Sequence, residues 1–208
     1  MKLGKESEAK FRILVVEDEV IVARDICLQL RELDYEPVAD TPSGEEAVEL
    51  AERLCPDLVL MDINLAGEMD GIGAATIIRE RWALPVIFLT AFSSVELVKR
   101  AKEAQPYGYL VKPFGEQELR ISVEMAIHRH RSETRLRASE ARYRALTESA
   151  QDGIVTVDTD GAVVGWNRGA TDMFGYAETE VVGQPVTMLM PSRFRSSHLM
   201  GMGRVQSG

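Results

Sequence analysis

The chain has 208 residues, of which 45% are apolar and 27% charged, and its net charge at pH 7 is −9. This composition is ordinary for a soluble globular protein of one or two domains. The negative charge argues against a nucleic-acid-binding surface, which usually needs a basic patch. No apolar run approaches the roughly 18 residues of a membrane-spanning helix, and the charged N-terminus lacks the apolar segment of a secretory signal. We therefore expect a cytoplasmic protein with no membrane span.

The two cysteines, Cys27 and Cys55, both have apolar neighbours. In a reducing cytosol, such thiols are far more often buried and free than paired in a disulfide or bound to a metal. We therefore predict two buried free thiols.

Short apolar runs alternate with amphipathic segments from residue 12 onward. Strands are predicted over 12–16, 36–40, 57–62, 85–91 and 107–111, and helices over 20–34, 43–54, 70–82, 94–104 and from 115. Ser43 and Asp70 are predicted to cap two of these helices. Strands that alternate with helices indicate an α/β fold, with a parallel sheet covered on both faces. Ligands of such sheets bind outside the carboxyl ends of the strands.

Polar residues stand at the carboxyl ends of four of the five predicted strands. They are Glu17 and Asp18 after the first strand, Asp62 at the end of the third, Thr90 in the fourth and Lys112 after the fifth. Three converging carboxylates would repel one another, and a hard divalent cation removes this conflict. Oxygen ligands suit Mg²⁺, which typically takes one or two carboxylates and a phosphate. The sequence therefore predicts a magnesium and phosphate site at this edge of the sheet.

The residue types at this edge favour phosphoryl transfer. Asp62 is predicted to be the nucleophile that forms an aspartyl-phosphate. Glu17 and Asp18 are predicted to hold Mg²⁺, one directly and one through water, with the backbone carbonyl of Asn64 as a further ligand. Lys112 would pair with a phosphate oxygen as a point charge. Neutralising the charge on the transferred group is most of what this chemistry requires.

With these residues in place, the segment 12–127 resembles the receiver domain of a two-component response regulator. The motifs that carry the resemblance are "VVEDE" (15–19), "MDINL" (61–65), "FLTA" (88–91) and "YLVKPF" (109–114). The resemblance implies a five-stranded, doubly wound, flavodoxin-like sheet with Mg²⁺ as cofactor. It also implies a sensor histidine kinase or a phosphotransfer protein as partner. A receiver promotes only its own phosphorylation and dephosphorylation, so no further enzymatic activity is expected.

The resemblance implies a conformational switch as well. The Thr90 hydroxyl would move toward the phosphate and donate to one of its oxygens, while the Tyr109 ring turns inward to fill the space. The bond between Lys112 and Pro113 would be a cis peptide, which costs little before proline.

Two features depart from the usual pattern of the family. The acidic pair is Glu17 and Asp18 rather than two aspartates, a common variant that is expected to bind metal. Gly71 stands nine residues after Asp62, where the family places its glycine eight residues on. The motifs "NLAGEMDGI" and "EAQPYGYLVKPF" resemble a receiver subgroup that often precedes sensory domains. This favours signalling without direct DNA binding.

Residues 115–150 form a nearly unbroken polar helical pattern. A helix this polar either bridges domains or pairs with a copy of itself. We favour a dimeric signalling helix over a single solvated one, and hence a homodimer. The predicted domains are a receiver over 10–127, a helical linker over 128–141 and a further domain over 142–208.

The last segment changes in character. "GIVTVD" and "AVVGWN" flank a "TDG" turn, which indicates a hairpin, and short helical segments follow. The segment resembles the first half of an α+β PAS sensory domain, and Asn167 matches the asparagine at the start of that family's first short helix. Three further strands are needed to complete a PAS sheet. We therefore expect an incomplete domain that is poorly packed, swapped or mobile, within a longer protein.

His198 stands seven residues after Pro191, near the place where oxygen-sensing haem PAS kinases carry their proximal histidine. Many haem-free PAS domains also have a histidine there, and a truncated pocket could hardly enclose a haem. We therefore do not predict a haem.

The main hypothesis is a phosphoacceptor receiver that signals through a helix to a PAS domain and a further output. One alternative is a PAS-based ligand sensor in which the receiver is mainly a dimerisation module, and a ligand retained on purification would favour it. Another is a haloacid-dehalogenase-like phosphatase, which also uses a nucleophilic aspartate. That class needs a second aspartate two residues on, and Asn64 stands there instead.

Overall fold

The computed structural model describes residues 10–91, 100–101 and 103–195. The chain divides into two compact units, Met1–Thr134 and Arg135–Gly208. The first unit contains a five-stranded sheet in the order β2-β1-β3-β4-β5, and every strand pair in it is parallel. Its strands are β1 (Arg12–Val16), β2 (Glu36–Thr41), β3 (Leu58–Asp62), β4 (Val86–Thr90) and β5 (Gly108–Val111). The predicted α/β fold class is thereby confirmed.

Helices cover both faces of this sheet. They are α1 (Val20–Glu32), α2 (Gly44–Leu54), α3 (Gly71–Trp82) and the first turns of α4 (Glu116–Ser149). Ser43 Oγ accepts a hydrogen bond from Glu46 N at 3.2 Å, and Asp70 Oδ1 accepts one from Gly73 N at 2.8 Å, so both predicted caps are confirmed. The predicted helix over 94–104 lies largely outside the described residues.

The three central strands are buried on both faces, because they are continuous apolar runs between two helical layers. Alternate side chains enter two separate cores, as the pleat of a strand requires. One core joins Leu14, Val59 and Phe88 to α2 and α3. The other joins Ile13, Leu60 and Leu89 to α1 and to Leu119, Val123 and Ala126 of α4. This packing holds the carboxyl ends of β1, β3, β4 and β5 at one edge of the sheet.

The prediction of two buried thiols is wrong for Cys55. Cys27 lies on the buried face of α1 and packs in the core, but Cys55 is exposed. Cys55 is the residue that ends α2, with a left-handed φ of 44° that turns the chain away from the helix. Its Sγ lies 3.3 Å from the carbonyl oxygen of Glu52 rather than in the apolar interior.

The second unit contains an antiparallel hairpin and short helices beside the residues of α4 from Arg135 onward. Its elements are β6 (Val155–Val157), β7 (Val163–Trp166), α5 (Arg168–Phe174), α6 (Glu178–Val181) and a 3-10 turn at Val186–Leu189. Four buried residues form its core, namely Val163, Trp166, Ala170 and Val181. The hairpin and the short helices agree with the prediction. His198 lies outside the described residues.

Although α4 has 34 residues, it is polar along most of its length. Among the described residues, no helix combines the length and the apolar content that crossing a membrane requires.

Candidate functional site

The strand ends bring together the three carboxylates that the sequence singles out. One oxygen atom from each of Glu17, Asp18 and Asp62 lies within 4.8 Å of the other two. The arrangement follows from strand order, because β1 and β3 are neighbours that align Val16 with Met61. Glu17 and Asp62 are buried, whereas Asp18 is half-buried. An acidic cleft therefore opens at the carboxyl edge of the sheet, as predicted.

Lys112 links two of these carboxylates. Its Nζ atom lies 2.5 Å from Glu17 Oε2 and 2.5 Å from Asp62 Oδ2. The Lys112 backbone N–H donates to the carbonyl of Thr90 at 2.8 Å, and the following bond to Pro113 is the expected cis peptide. The lysine thus enters the cleft from the end of β5 and neutralises part of its charge.

The pKa values of both Glu17 and Lys112 are raised by their surroundings in the cleft. Burial raises the pKa of Glu17, and the Asp62 charge adds to this effect while Lys112 partly opposes it. Burial alone would lower the pKa of Lys112, but its bonds to Asp62 and Glu17 outweigh that effect and raise it. Three carboxylates around one ammonium leave an excess of negative charge. The cleft therefore suits a small divalent cation with oxygen ligands.

The loop after Asp62 is anchored at both of its ends. The Asn64 N–H donates to Asp62 Oδ1 at 2.9 Å, and the Gly71 N–H donates to the Ile63 carbonyl at 3.1 Å. A Cβ atom on Gly71 would lie 1.8 Å from the Asp62 carbonyl oxygen, so a side chain cannot be accommodated there. The glycine lets α3 begin directly against the backbone of Asp62.

The loop after Asp62 makes a contact with α2 that the sequence does not reveal. Glu45 Oε1 accepts a hydrogen bond from the Met69 N–H at 2.9 Å. A Cβ atom on the adjacent Gly44 would lie 2.8 Å from the Met69 carbonyl. The start of α2 therefore holds the loop. The sequence contains no local signal for this contact, because Glu45 reads as an exposed residue in the first turn of a helix.

Thr90 and Tyr109 occupy neighbouring strands. Thr90 is the last residue of β4 and is buried. Tyr109 lies opposite Phe88 in β5, and the two ring centroids are 6.0 Å apart. The Tyr109 side chain is 36% exposed, so its ring lies at the boundary between core and solvent. The position is compatible with the predicted inward movement, and the switch roles of both residues stay predictions.

A family model of the response regulator receiver domain matches residues 13–124. The chain belongs to the response regulator receiver family. A second family model, that of the PAS fold, matches residues 141–202. The sequence-based resemblances to a receiver and to a PAS domain are therefore confirmed.

Curated relatives resemble the receiver part of the chain. The transcriptional regulatory protein PdtaR of Mycobacterium tuberculosis is 45% identical over 125 residues, which cover 60% of this chain and 60% of PdtaR. The transcriptional regulatory protein ZraR of Escherichia coli is 38% identical over 120 residues, which cover 57% of this chain and 27% of ZraR. The chain thus spans less than two thirds of the length of each of these relatives.

Solved receiver structures show the same fold. The signal receiver domain of a modulated diguanylate cyclase from Desulfovibrio desulfuricans matches with a TM-score of 0.58 and 40% identity, covering 60% of this chain and 99% of that one. The N-terminal domain of a response regulator/sensory box/GGDEF protein from Carboxydothermus hydrogenoformans matches with a TM-score of 0.55 and 38% identity, covering 59% and 98%. The flavodoxin-like receiver architecture is therefore established for the first unit.

Among the described residues of the PAS part, Asn167 has the most extensively bonded polar side chain. Its Oδ1 accepts from the N–H groups of Ile154 at 2.7 Å and Ala170 at 2.9 Å. Its Nδ2 donates to the carbonyls of Thr147 at 2.7 Å and Asp152 at 3.0 Å. The side chain is buried and uses all its bonding capacity in capping α5 and tying the hairpin to the end of α4. These contacts indicate a structural role for Asn167.

We expect Asn167→Ala to destabilise the second unit by about 3 kcal/mol, because it leaves buried backbone groups without partners. The measurement is hydrogen exchange at the Ile154 and Ala170 amides, both of which should lose protection. Arg168→Ala is the control, since the Arg168 side chain is 80% exposed and its loss should leave both amides protected. Unchanged exchange at both amides in Asn167→Ala would contradict the prediction.

Proposed function

We propose that Asp62 accepts a phosphoryl group from a sensor histidine kinase or a phosphotransfer protein in a Mg²⁺-dependent reaction. The observation that carries this proposal is the placement of buried Asp62 within one cleft with Glu17, Asp18 and Lys112. The membership of this chain in the receiver family supports the same chemistry.

The donor set fits Mg²⁺. Three carboxylates, each with one oxygen within 4.8 Å of the other two, carry more negative charge than one lysine can neutralise. This excess of negative charge favours a divalent cation. Glu17, Asp18, Asp62 and the backbone carbonyl of Asn64 would hold the ion, which when bound neutralises charge on the phosphoryl oxygens.

The residues of the cleft then divide the work of the transfer. An Asp62 carboxylate oxygen attacks phosphorus, the bond from phosphorus to the donor nitrogen breaks, and the nitrogen keeps the electron pair. Lys112 moves its hydrogen bond from the carboxylate to a phosphoryl oxygen. The Thr90 hydroxyl donates to another of these oxygens. Binding and orientation by these side chains supply the catalysis.

The long helix α4 connects the site to the rest of the protein. Tyr109 lies one strand from Thr90, and α4 begins shortly after the end of β5. We infer that a Thr90–Tyr109 switch alters the start of α4, which passes the change to the PAS domain. The receiver (10–127), linker (128–141) and PAS (142–208) segments act together in a cytoplasmic homodimer, without direct DNA binding and without enzymatic activity beyond the receiver's own phosphorylation and dephosphorylation.

The test is incubation with acetyl phosphate, with and without Mg²⁺, followed by intact mass measurement. We expect a gain of one phosphoryl group that requires Mg²⁺. Asp62→Asn is the matched control, since it keeps the size of the side chain and removes the nucleophilic oxygen, and it should show no gain. A folded wild-type protein that gains no mass, or an Asp62→Asn variant that gains it equally, would refute the assignment.

A further inference from the structure

Three large apolar side chains of α4 are exposed in the second unit. Leu136, Tyr143 and Leu146 are 61%, 61% and 64% exposed. Leu136 and Tyr143 are seven residues apart and Leu146 follows three residues later, so all three lie on one side of the helix. In a heptad pattern with this spacing, Leu136 and Tyr143 occupy position a and Leu146 occupies position d. Ser139 occupies the intervening position d. The side chains form an unpartnered seam.

Charged residues flank this seam in a specific order. Arg135 and Arg142 occupy g positions, and Glu140 occupies the e position between them. Within the part of the chain that the structure describes, neither Arg135 nor Glu140 forms an ion pair. Both charges are therefore available to a partner helix.

The order of the charges distinguishes the possible partners. In a parallel pair of identical helices, the g residue of one helix faces the following e residue of the other. Arg135 of each copy then faces Glu140 of its partner, and symmetry makes this contact twice. In an antiparallel pair, g would face g and e would face e, so arginine would oppose arginine and glutamate would oppose glutamate. Charge complementarity thus favours a second copy in parallel orientation.

The hairpin of the second unit leaves part of the seam open. An open cleft of about 620 Å³ lies between α4 and the hairpin, within the second unit, and Ser139 and Tyr143 from the seam line it together with Thr156 and Val164. Val164 is 54% exposed in this cleft. The hairpin therefore does not cover Tyr143, which stays 61% exposed.

We propose that residues 135–149 of α4 pair with the same residues of a second copy of this chain as a parallel, in-register, two-stranded coiled coil. Leu136, Tyr143 and Leu146 fill its seam, and reciprocal Arg135–Glu140 contacts fix its orientation. This inference rests on the proposed function, because it specifies how the proposed homodimer is built.

The first test is the dimer dissociation constant of the whole chain, measured by sedimentation equilibrium. Glu140→Arg turns two attractive contacts into two repulsive ones, so the constant should rise at least about tenfold. Arg135→Glu should have a similar effect, and the double variant should restore the wild-type value. Arg137→Glu, the same charge reversal at an exposed position outside the seam, is the control and should have little effect.

The second test is disulfide cross-linking by oxidised glutathione in a Cys55→Ser background, which removes the exposed native thiol. Ser139→Cys places a thiol in the seam, and the two copies should form an intermolecular disulfide. Ala141→Cys places a thiol on the opposite side of the helix and should not. Each disulfide consumes two thiols and reduces one molecule of oxidised glutathione.

The outcomes separate this inference from the proposed function. A chain that stays monomeric at every concentration overturns both the coiled coil and the homodimer, while phosphorylation of Asp62 is decided independently by mass. A dimer that is indifferent to Glu140→Arg and does not cross-link through Ser139→Cys overturns the coiled coil alone.

Discussion

Replacing Lys112 by methionine should lower the free energy of unfolding by about 3 kcal/mol in the absence of divalent cations, because a buried ion pair would lose its cation. The Glu17 side chain has no exposed surface and that of Asp62 has 10%, so water can replace the lysine only in part. Lys112 is the ion-pair partner of both carboxylates. The measurement is urea unfolding of Lys112→Met and wild type in the presence of EDTA.

Saturating Mg²⁺ should return part of the lost stability, because a bound cation takes over the neutralisation of Glu17 and Asp62. The same variant should lose at least about 100-fold in the rate of phosphorylation by acetyl phosphate, since a charged donor to the phosphoryl group is gone. Recovery of stability with Mg²⁺ but not of rate would separate the two roles of Lys112.

Lys10→Met is the matched control for this experiment. Lys10 forms an ion pair with Asp34, and the side chains are 52% and 83% exposed. Exposed pairs of this kind contribute at most about 1 kcal/mol. Equal losses of stability in Lys10→Met and Lys112→Met would contradict the argument that burial of the carboxylates makes Lys112 important.

Gly71→Ala should destabilise the first unit by about 3 kcal/mol, because the added methyl group forces the backbone to move. Its Cβ would lie 1.8 Å from the Asp62 carbonyl oxygen and 2.9 Å from the Asp62 carbonyl carbon. Neither backbone atom can yield without moving Asp62, the proposed phosphoacceptor. Displacing a reacting group by about 1 Å costs about 100-fold in rate, so phosphorylation by acetyl phosphate should fall by a similar factor.

Gly108→Ala is the control for this substitution. Gly108 lies in β5, where the nearest atom to an added Cβ is Ile87 Cγ1 at 4.0 Å. This variant should keep wild-type stability to within about 1 kcal/mol. The prediction fails if Gly71→Ala melts and phosphorylates like Gly108→Ala, because the backbone of Asp62 would then be free to adjust.

Local features of this protein follow from sequence because their causes are local. The apolar runs of β1, β3 and β4 and the caps at Ser43 and Asp70 depend on residues a few positions apart. The meeting of Glu17, Asp18 and Asp62 also follows, because parallel strands end at a common edge. The identity of the residues that meet at this edge was thus predictable from the sequence.

Contacts between distant elements were decided only by tertiary packing. The sequence placed Lys112 at the cleft but did not reveal its simultaneous bonds to Glu17 and Asp62, which depend on distances between the ends of β1, β3 and β5. It marked Gly71 by its spacing without revealing that α3 begins against the Asp62 carbonyl.

The packing and the C-terminal end of α2 likewise decided two further features. These are the exposure of Cys55 and the hydrogen bond from the Met69 N–H to Glu45. The physical reason is the distance along the chain between the residues that interact. Hydrophobic periodicity and capping act within a few residues, whereas an ion pair, a close backbone approach or the exposure of a thiol depends on elements brought together from distant parts of the chain.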